Sequence, residues 1–402
     1  MSSQLTKLNE LFAAILPWNA FYRNKLGSIG PLTSLTEFSA TVPFTTKDEL
    51  AADHEKYPPY GTTHTWPLDR YHRFHQTSGT RGKPLIWLDD SNNWSWILDG
   101  WEWVWRSAGV RLGDTAFFPF SFGPFLGFWA GFEAATRMGI RAVPGGGLSS
   151  EDRLRLLQRS QSTILCCTPT YALRLAEVGH NLHLPVHSLG IRKIVVCGEP
   201  GGSIPEIRNR IESTWNARVY DHHGMTEIGP VSVSSEEDPN LLLLRHTSYL
   251  CDVIDPTTGS ASPFGETGEL VLTTLGRHGS PLIRYRTGDL VRPVLHGEHF
   301  ALKGGVLSRT DDMIVIRGIN IHPSSIDAVV RTFPDITEYQ VEIDQRPALA
   351  EIRLKIEATD ATAIALAAAL RSTFTLRIPV EAVPAATLPT SEVKAKRWII
   401  QR

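Results

Sequence analysis

The sequence has 402 residues, of which 42% are hydrophobic and 20% charged; this composition is typical of a globular protein with a large core, and the length predicts two domains. Its 40 Lys and Arg and 42 Asp and Glu give a formal net charge of −2 with no conspicuous basic run, which argues against nucleic acid or an anionic membrane surface as partner. The four cysteines form no CxxC pair and the N-terminus lacks a basic-then-apolar signal pattern, so we expect buried free thiols and a cytoplasmic location.

The N-terminal part of the chain contains one clear helical pattern and one long uncharged segment. Apolar residues recur at helical spacing before Pro17. The uncharged segment, residues 117–132, is short for a membrane span and is interrupted by five Gly and Pro residues. We therefore predict no membrane span here, but a buried bend lined by aromatic side chains.

Apolar strand patterns then alternate with amphipathic helical ones. Residues 164–167 and 191–197 are typical of buried strands, and residues 149–159 and 204–213 of helices. This alternation predicts an α/β sheet covered on both faces. A turn followed by an alternating strand at 265–274 predicts that part of the sheet is antiparallel, so the fold class is α/β with mixed sheets.

The pattern changes after Arg309. A strand at 313–317, a helix at 323–333, strands at 339–343 and 352–356 and a helix at 361–374 predict a small α+β unit. We therefore divide the chain into two domains, residues 1–309 and 310–402.

A Ser/Thr/Gly loop, His75-Gln-Thr-Ser-Gly-Thr-Arg-Gly-Lys-Pro84, carries the first chemical signal. Glycines let backbone N–H groups converge on one point, and hydroxyls and a lysine add donors and positive charge, as a polyphosphate requires. It is not a Walker A loop, because no Ser or Thr follows the lysine and the glycine spacing differs. Taken alone, it is equally compatible with a surface turn.

Four later segments remove this ambiguity. They are Tyr220-Asp-His-His-Gly-Met-Thr-Glu227, Tyr285-Arg-Thr-Gly-Asp-Leu290, Arg309-Thr-Asp-Asp-Met-Ile-Val-Ile-Arg-Gly318 and Ser391-Glu-Val-Lys-Ala-Lys-Arg397. In this order, the five motifs resemble the adenylate-forming superfamily of acyl-CoA synthetases, peptide-synthetase adenylation domains and luciferases. The short length and the last two motifs are most similar to its phenylacetate-CoA ligase branch.

The resemblance implies an AMP-forming acid–thiol ligase with ATP, Mg²⁺ and coenzyme A as cofactors and substrates. A carboxylate attacks the α-phosphate of ATP to give acyl-AMP, and a thiol then displaces AMP. The site would lie between a large AMP-binding domain and a small mobile lid. A carboxylate is already ionised at neutral pH, so we expect a site rich in hydrogen-bond donors rather than one built around a general base.

Residue roles follow from the motif positions and are implied by the resemblance alone. Thr226 would bind phosphate and Glu227 magnesium; Asp289 would hold the ribose hydroxyls with Arg309 beside it, and His223 takes the place of an aromatic that stacks on adenine. The β- and γ-phosphates would be wrapped by Thr77, Ser78, Gly79, Thr80, Gly82 and Lys83, and adenine flanked by Gly198, Glu199 and Pro200.

Three further residues would serve the domain movement and the thiol. Asp311 matches the hinge about which the small domain rotates. Lys394 matches the lysine that enters the site for adenylation, with Lys396 as a less favoured alternative. Gly318 matches a glycine that leaves room for the pantetheine arm. A turn glycine, a solvated lysine or a surface ion pair is the plain structural alternative for such residues taken singly.

The acyl pocket is the least determined part of the site. Phe122 and Phe125 lie in an aromatic, glycine-containing run that suits a flat apolar ring, although core packing explains it nearly as well. His222 and Gly224 are the other candidates. An aryl or arylacetic acid is the leading expectation, with a medium-chain fatty acid or an aminobenzoate left open. We expect no structural zinc, since residues 231–237 contain neither Cys nor His.

Two other functions remain open at this point. The acyl group could pass to a carrier-protein thiol or to an amine instead of coenzyme A, or the chain could bind a nucleotide without catalysis. A carrier protein and a second copy of the chain are the candidate protein partners.

Overall fold

The computed structural model describes residues 3–77, 84–297, 299–310, 314–316, 319–321, 323–344, 351–374, 376–389 and 397–401. Helices and strands alternate through this part of the chain. The α-helices are α1 Ser3–Ile15, α2 Ala20–Leu26, α3 Leu35–Thr41, α4 Lys47–Lys56, α5 Ser91–Ser107, α6 Leu126–Arg137, α7 Ser150–Arg159, α8 Pro169–Asn181, α9 Pro205–Trp215, α10 Pro323–Arg331 and α11 Asp360–Phe374. The strands of the N-terminal part are β1 Arg73–Gln76, β2 Ile86–Asp89, β3 Thr115–Phe118, β4 Arg141–Pro144, β5 Ile164–Cys167, β6 Lys193–Cys197, β7 Arg218–Met225, β8 Gly229–Ser234, β9 Leu241–Leu244, β10 Tyr249–Ile254, β11 Gly268–Thr274, β12 Tyr285–His296 and β13 His299–Arg309. Those after it are β14 Ile314–Ile316, β15 Ile319–Ile321, β16 Tyr339–Asp344, β17 Glu351–Glu357, β18 Val380–Val383 and β19 Trp398–Gln401.

One mixed sheet organises the large domain. Its described strands lie in the order β10-β11-β12-β13-β9-β8-β7-β6-β5-β3-β4. Strands β4, β3, β5, β6 and β7 are parallel, and from β7 through β10 every neighbouring pair is antiparallel. The predicted α/β class with mixed sheets is therefore confirmed.

The parallel strands are buried on both faces. Along β5, Ile164 and Cys166 pack with α5 and α6, whereas Leu165 and Cys167 pack with α7, α8 and α9 on the opposite face. Because side chains alternate across a strand, helices on both faces require an unbroken apolar run. Three cysteines, Cys166, Cys167 and Cys197, are buried free thiols in this layer, and Cys251 is half-buried.

The aromatic segment is only partly the bend that the sequence predicts. Its residues 119–125 are irregular, but α6 begins at Leu126 and contains both Gly127 and Gly131. A Cβ at Gly131 would lie 3.3 Å from the indole ring of Trp101 on α5. The bend prediction was therefore wrong for the second half: this glycine serves close helix packing rather than a break in the helix. Within the described residues, no helix is both long and apolar enough to cross a bilayer.

The N-terminal helices cover the antiparallel end of the sheet. The apolar side of α1, including Leu8 and Ile15, packs against Leu250 of β10 and against Leu275 and Ile283, which follow β11 and precede β12. Asn19 caps α2 and also donates to the carbonyl of Thr63. The helical pattern predicted before Pro17 is confirmed by α1, and this region supports the sheet on which the site is built.

The C-terminal part forms a separate α+β unit. Strands lie in the order β18-β17-β16-β19 and pack with α10 and α11, while β14 and β15 form a hairpin. The described residues of its apolar core run from Ile314 onward. Strand β13 ends at Arg309 in the large sheet, so the predicted boundary at 309/310 lies between two separate sheets.

Polar contacts join the two units in the described part of the chain. Arg397, at the start of β19, lies 3.5 Å from the hydroxyl of Thr170 on α8 and donates to Glu338 at 2.6 Å and 3.2 Å. On α9, Arg210 approaches the carbonyl of Pro334 at 3.5 Å. We call the two contacts that cross the boundary, Arg397 with Thr170 and Arg210 with Pro334, the interdomain contacts.

Candidate active site

Two of the predicted nucleotide-binding segments, residues 198–200 and 220–227, meet at the carboxyl ends of β6 and β7. The two strands are parallel, with Cys197 opposite His222, so residues 198–200 lie beside residue 223. Gly198 has φ +91°, a conformation that favours glycine, and it turns the chain out of β6. Ligands of open α/β sheets gather at this edge.

The stem of the phosphate loop is an antiparallel hairpin of β1 and β2. Two hydrogen bonds join the ends of the hairpin at the loop. The Thr77 N–H donates to the Leu85 carbonyl at 2.9 Å, and the Leu85 N–H donates to the Thr77 hydroxyl at 3.0 Å. The hydroxyl that the resemblance assigns to phosphate therefore has a structural partner as well. Ser78, Gly79, Thr80, Gly82 and Lys83 lie outside the described residues.

A buried ion pair joins this stem to the turn that carries Thr226 and Glu227. Arg277 donates to both carboxylate oxygens of Asp89, the last residue of β2, at 2.8 Å and 2.7 Å. The same guanidinium donates to the carbonyls of Thr226 at 3.1 Å and Glu227 at 2.7 Å. Both side chains of the pair are 0% exposed. We call Asp89 and Arg277 the buried strut.

Aromatic side chains and an imidazole surround the buried strut. Trp87 lies under the Arg277 guanidinium, and His75, which stacks on Trp94 at 5.2 Å, approaches Asp89 at 3.8 Å. Burial alone would raise the pKa of Asp89, but the charge of Arg277 holds it below its usual value. The sequence did not identify Asp89 and Arg277 as functional residues, because neither lies in a motif and only the fold brings them together.

Glu227 is held as an acceptor. Its Oε1 accepts a hydrogen bond from the hydroxyl of Tyr285 at 3.0 Å, and the side chain is buried. Burial and the Glu227 carboxylate raise the pKa of Tyr285 well above its usual value, so this hydroxyl keeps its proton. One fixed carboxylate is a protein ligand that fits Mg²⁺, which takes few protein ligands alongside phosphate oxygens.

The Asp289 carboxylate contacts two nitrogen groups, the guanidinium of Arg309 and the imidazole of His223. On the paired strands β12 and β13 it faces Arg309, whose Nη1 donates to Oδ1 at 2.8 Å, and His223 Nε2 lies 3.0 Å from Oδ2. Burial alone would raise the pKa of Asp289, but His223 and Arg309 hold it below its usual value. The carboxylate is therefore ionised and fixed in orientation. The contact with His223 was not expected from the sequence.

Glu199 connects the edge of the sheet to the interdomain contacts. Its carboxylate accepts from the N–H of Thr170, in the first turn of α8, at 2.8 Å. Acidic groups are favourable at helix N-termini because of the helix dipole. Gly198 and Pro200 on either side are exposed. The structure thus gives Glu199 a helix-capping contact in addition to its predicted place beside adenine.

The residues predicted for the acyl pocket fall into two groups. His222 is buried, packs edge-on against Trp101 at 4.4 Å and contacts the Ser232 carbonyl through Nδ1 at 2.7 Å; burial lowers its pKa to about 4. A Cβ at the exposed Gly224 would lie 3.2 Å from His222 Nε2.

The second group is aromatic. The Phe122 ring contacts those of Phe120, Trp129 and Phe132 at 5.4, 4.9 and 5.2 Å, and Phe125 is half-buried beside Gly123. The Pro124 carbonyl accepts from the N–H of Gln76, which places this segment against the phosphate-loop stem. The aromatic segment therefore adjoins the site.

Three further predicted site residues, Asp311, Gly318 and Lys394, also lie outside the described residues, so their roles stay predictions. In the part of the chain that is described, no group of three or more His, Cys, Asp and Glu side chains is arranged to hold a metal ion.

Two family models match the chain in the order in which its domains occur. That of the AMP-binding enzyme matches residues 31–276, and that of the AMP-binding enzyme C-terminal domain matches residues 318–402. Phenylacetate-coenzyme A ligase of Pseudomonas putida is 31% identical over 348 residues, 84% of this chain and 76% of the relative. The enzyme of that name from Thermus thermophilus is 30% identical over 368 residues, 89% of this chain and 81% of the relative.

Solved structures agree with the sequence matches. 2-Hydroxyisobutyryl-CoA ligase in the postadenylation state, in complex with 2-HIB-AMP, superposes with a TM-score of 0.93 at 27% identity, over 99% of this chain and 89% of that one. In its thioesterification state, with 2-HIB-AMP and CoA, the same protein gives a TM-score of 0.74 at 28% identity over the same shares. The two domains are therefore arranged more as in the postadenylation state. This chain belongs to the AMP-binding, adenylate-forming enzyme family, in the branch that is similar to the phenylacetate-CoA ligases.

Proposed function

We propose that this member of the family activates an aromatic carboxylic acid with ATP and transfers the acyl group to the thiol of coenzyme A. The observation that carries the proposal is one connected set of hydrogen bonds. It joins the phosphate-loop stem at Asp89 through Arg277 to the turn of Glu227, and then through Tyr285 to the strand that carries Asp289. ATP with its magnesium ion would place the phosphates near the loop stem, the metal at Glu227 and the ribose at Asp289.

In the first half-reaction an oxygen of the acid forms a bond to the α-phosphorus of ATP. The bond from that phosphorus to the bridging oxygen of pyrophosphate breaks, and the acid is joined to AMP. Two anions must approach each other, so fixed donors and positive charge supply most of the rate enhancement. Thr226 and Lys83 are proposed to hold the phosphates, and Lys394 to lie between carboxylate and α-phosphate.

Magnesium, held by Glu227 together with phosphate oxygens, would neutralise charge on the triphosphate. Tyr285 orients the Glu227 carboxylate through its hydrogen bond, and Arg277 fixes the backbone on which Glu227 sits.

In the second half-reaction the sulfur of the thiol attacks the acyl carbon. The bond from that carbon to the phosphate oxygen breaks, AMP leaves and the thiol proton is released. Rotation about Asp311 is proposed to exchange the adenylating arrangement for the thioester-forming one, with Gly318 leaving room for the pantetheine arm.

The aromatic preference rests on the segment beside the phosphate-loop stem. Its rings, Phe120, Phe122, Phe128, Trp129 and Phe132, contact one another, and residues 117–132 contain no charged side chain to meet a second carboxylate. Flat apolar surfaces of this kind suit an aryl or arylacetic group. Phenylacetate, the acid named in the curated relatives, is of this class.

Substitution of the ribose-binding carboxylate tests the nucleotide assignment. Asp289→Ala is expected to weaken ATP binding about 10- to 100-fold, since a hydrogen bond to a charged group contributes about 1.5–3 kcal/mol. Binding is measured by calorimetry on the full chain. Glu266→Ala, which removes an exposed carboxylate of a surface turn, serves as the control and should leave affinity unchanged. Equal affinities of the two variants would refute the assignment.

The activity itself is tested with a panel of acids. The protein is incubated with ATP, Mg²⁺ and benzoate, phenylacetate, 2-aminobenzoate, octanoate or 2-hydroxyisobutyrate, with and without coenzyme A; pyrophosphate and acyl products are measured. We expect an aryl- or arylacetyl-CoA. A product from octanoate or 2-hydroxyisobutyrate alone would contradict the aromatic preference. Acyl-AMP that persists with coenzyme A present would contradict the acceptor, and absence of pyrophosphate from every acid would contradict the activity.

A further inference from the structure

His223 lies in a setting that adenine stacking does not account for. It occupies the place where the family resemblance suggests a stacking aromatic, but its ring is oriented edge-on to a carboxylate. Nε2 lies 3.0 Å from Oδ2 of Asp289, and the two side chains are 13% and 5% exposed. A carboxylate only accepts hydrogen bonds, so Nε2 carries the hydrogen and donates it.

The Asp289 carboxylate is held at both oxygens. Arg309 donates to Oδ1 at 2.8 Å from β13, and His223 donates to Oδ2 from β7. One donor on each oxygen fixes the orientation of the carboxylate. Each oxygen has a second lone pair, so both remain able to accept a further hydroxyl. Such a carboxylate is preorganised for a pair of adjacent hydroxyl groups.

The imidazole ring depends on the same contact. Among the described residues, its buried Nδ1 has no hydrogen-bond partner. The Asp221 carboxylate, two residues earlier, is itself bonded to Ser203 at 2.6 Å. The bond to Asp289 is thus the hydrogen bond that sets the orientation of the ring.

We propose that His223 is a positioning residue that fixes Asp289 for the two ribose hydroxyls, so that its contribution to nucleotide affinity passes through the ribose rather than through adenine. This inference rests on the proposed function, because it assumes that Asp289 binds ribose. An aromatic hydrocarbon at this position stacks but donates nothing to Asp289. Position 223 therefore determines how rigidly the carboxylate is held.

Two substitutions separate the two roles. His223→Phe keeps a flat ring and removes the donor, whereas His223→Gln keeps an N–H donor at a similar reach and removes the ring. Calorimetry measures the binding of AMP and of 2′,3′-dideoxy-AMP to the full-length protein and to each variant. We expect His223→Phe to weaken AMP binding about tenfold and His223→Gln by less than about threefold, in line with a charge-assisted hydrogen bond. Dideoxy-AMP should bind all three proteins equally.

A double-variant cycle gives an independent readout. If His223 acts through Asp289, His223→Phe should have little further effect on AMP affinity once Asp289→Asn is in place. Thermal unfolding of each variant checks that the fold is retained.

The opposite results would overturn the inference. One is that His223→Phe binds AMP as tightly as the wild type while His223→Gln binds it more weakly. Another is that His223→Phe weakens the binding of AMP and of dideoxy-AMP equally. The third is that the effects of His223→Phe and Asp289→Asn on AMP affinity are additive. Wild-type protein that bound neither nucleotide would refute the proposed function itself, and with it this inference. If the wild-type protein binds AMP but the variants give any of the three contrary results, the role of His223 is refuted and the proposed function is not.

Discussion

Replacement of Arg277 by methionine is expected to destabilise the large domain by about 3–5 kcal/mol, the usual cost of leaving a buried charge without its partner. The Asp89 carboxylate would remain at a site that is 0% exposed, and the carbonyls of Thr226 and Glu227 would lose their donor. Denaturant unfolding measures the loss. The KM for ATP should rise as well, because the turn that carries Glu227 would no longer be fixed to the phosphate-loop stem.

The matched variants distinguish an orphaned charge from a packing defect. Removal of both charges in Arg277→Met with Asp89→Leu should cost less stability than Arg277→Met alone, since no unpaired ion is left. Arg106→Ala breaks an exposed pair with Glu102 and should have a much smaller effect. If the double variant were the less stable of the two, the Asp89 charge would not be the source of the loss.

Lys394→Ala is expected to reduce acyl-AMP formation by at least about 10²–10³-fold, the scale seen when one preorganised charge-stabilising donor is removed. Its ammonium group is proposed to offset the repulsion between the acid and the α-phosphate in the first half-reaction only. Pyrophosphate release from ATP and the acid measures that step. Thioester formation from synthetic acyl-AMP and coenzyme A should persist.

The neighbouring lysine provides the control. Lys396→Ala removes the same charge two residues away and should retain both half-reactions. Loss of both half-reactions in Lys394→Ala would reject its assigned role, and loss of adenylation in Lys396→Ala with activity intact in Lys394→Ala would transfer that role to Lys396.

Local patterns in the sequence predicted much of the scaffold. The unbroken apolar run at Ile164–Cys167 is typical of a strand covered on both faces, and that is where β5 lies. The segment around Gly127 and Gly131 was misjudged, because glycine permits both a bend and a close helix contact. Only the position of Trp101, set by tertiary packing, distinguishes the two.

In the site, too, some residues could be identified from sequence motifs and others only from the fold. The family motifs identify Asp289, Arg309 and Glu227 as candidates, and the structure places Asp289 against Arg309 because β12 and β13 pair in that register. The contact of Asp289 with His223 spans 66 residues and depends on two strands that do not pair with each other. Arg277 lies in no motif, and its 188-residue reach to Asp89 leaves no local signal.

The interdomain contacts have a consequence for the energetics of domain rotation. They are made by guanidinium groups against oxygen acceptors, and the described residues of the small domain's apolar core all belong to that domain. Water can replace such polar partners at little cost, whereas separating apolar surfaces would expose them to solvent. Breaking these two contacts in the proposed rotation is therefore expected to change the free energy little. Whichever ligand occupies the cleft can then decide which arrangement is populated, and a modest difference in its affinity for the two suffices.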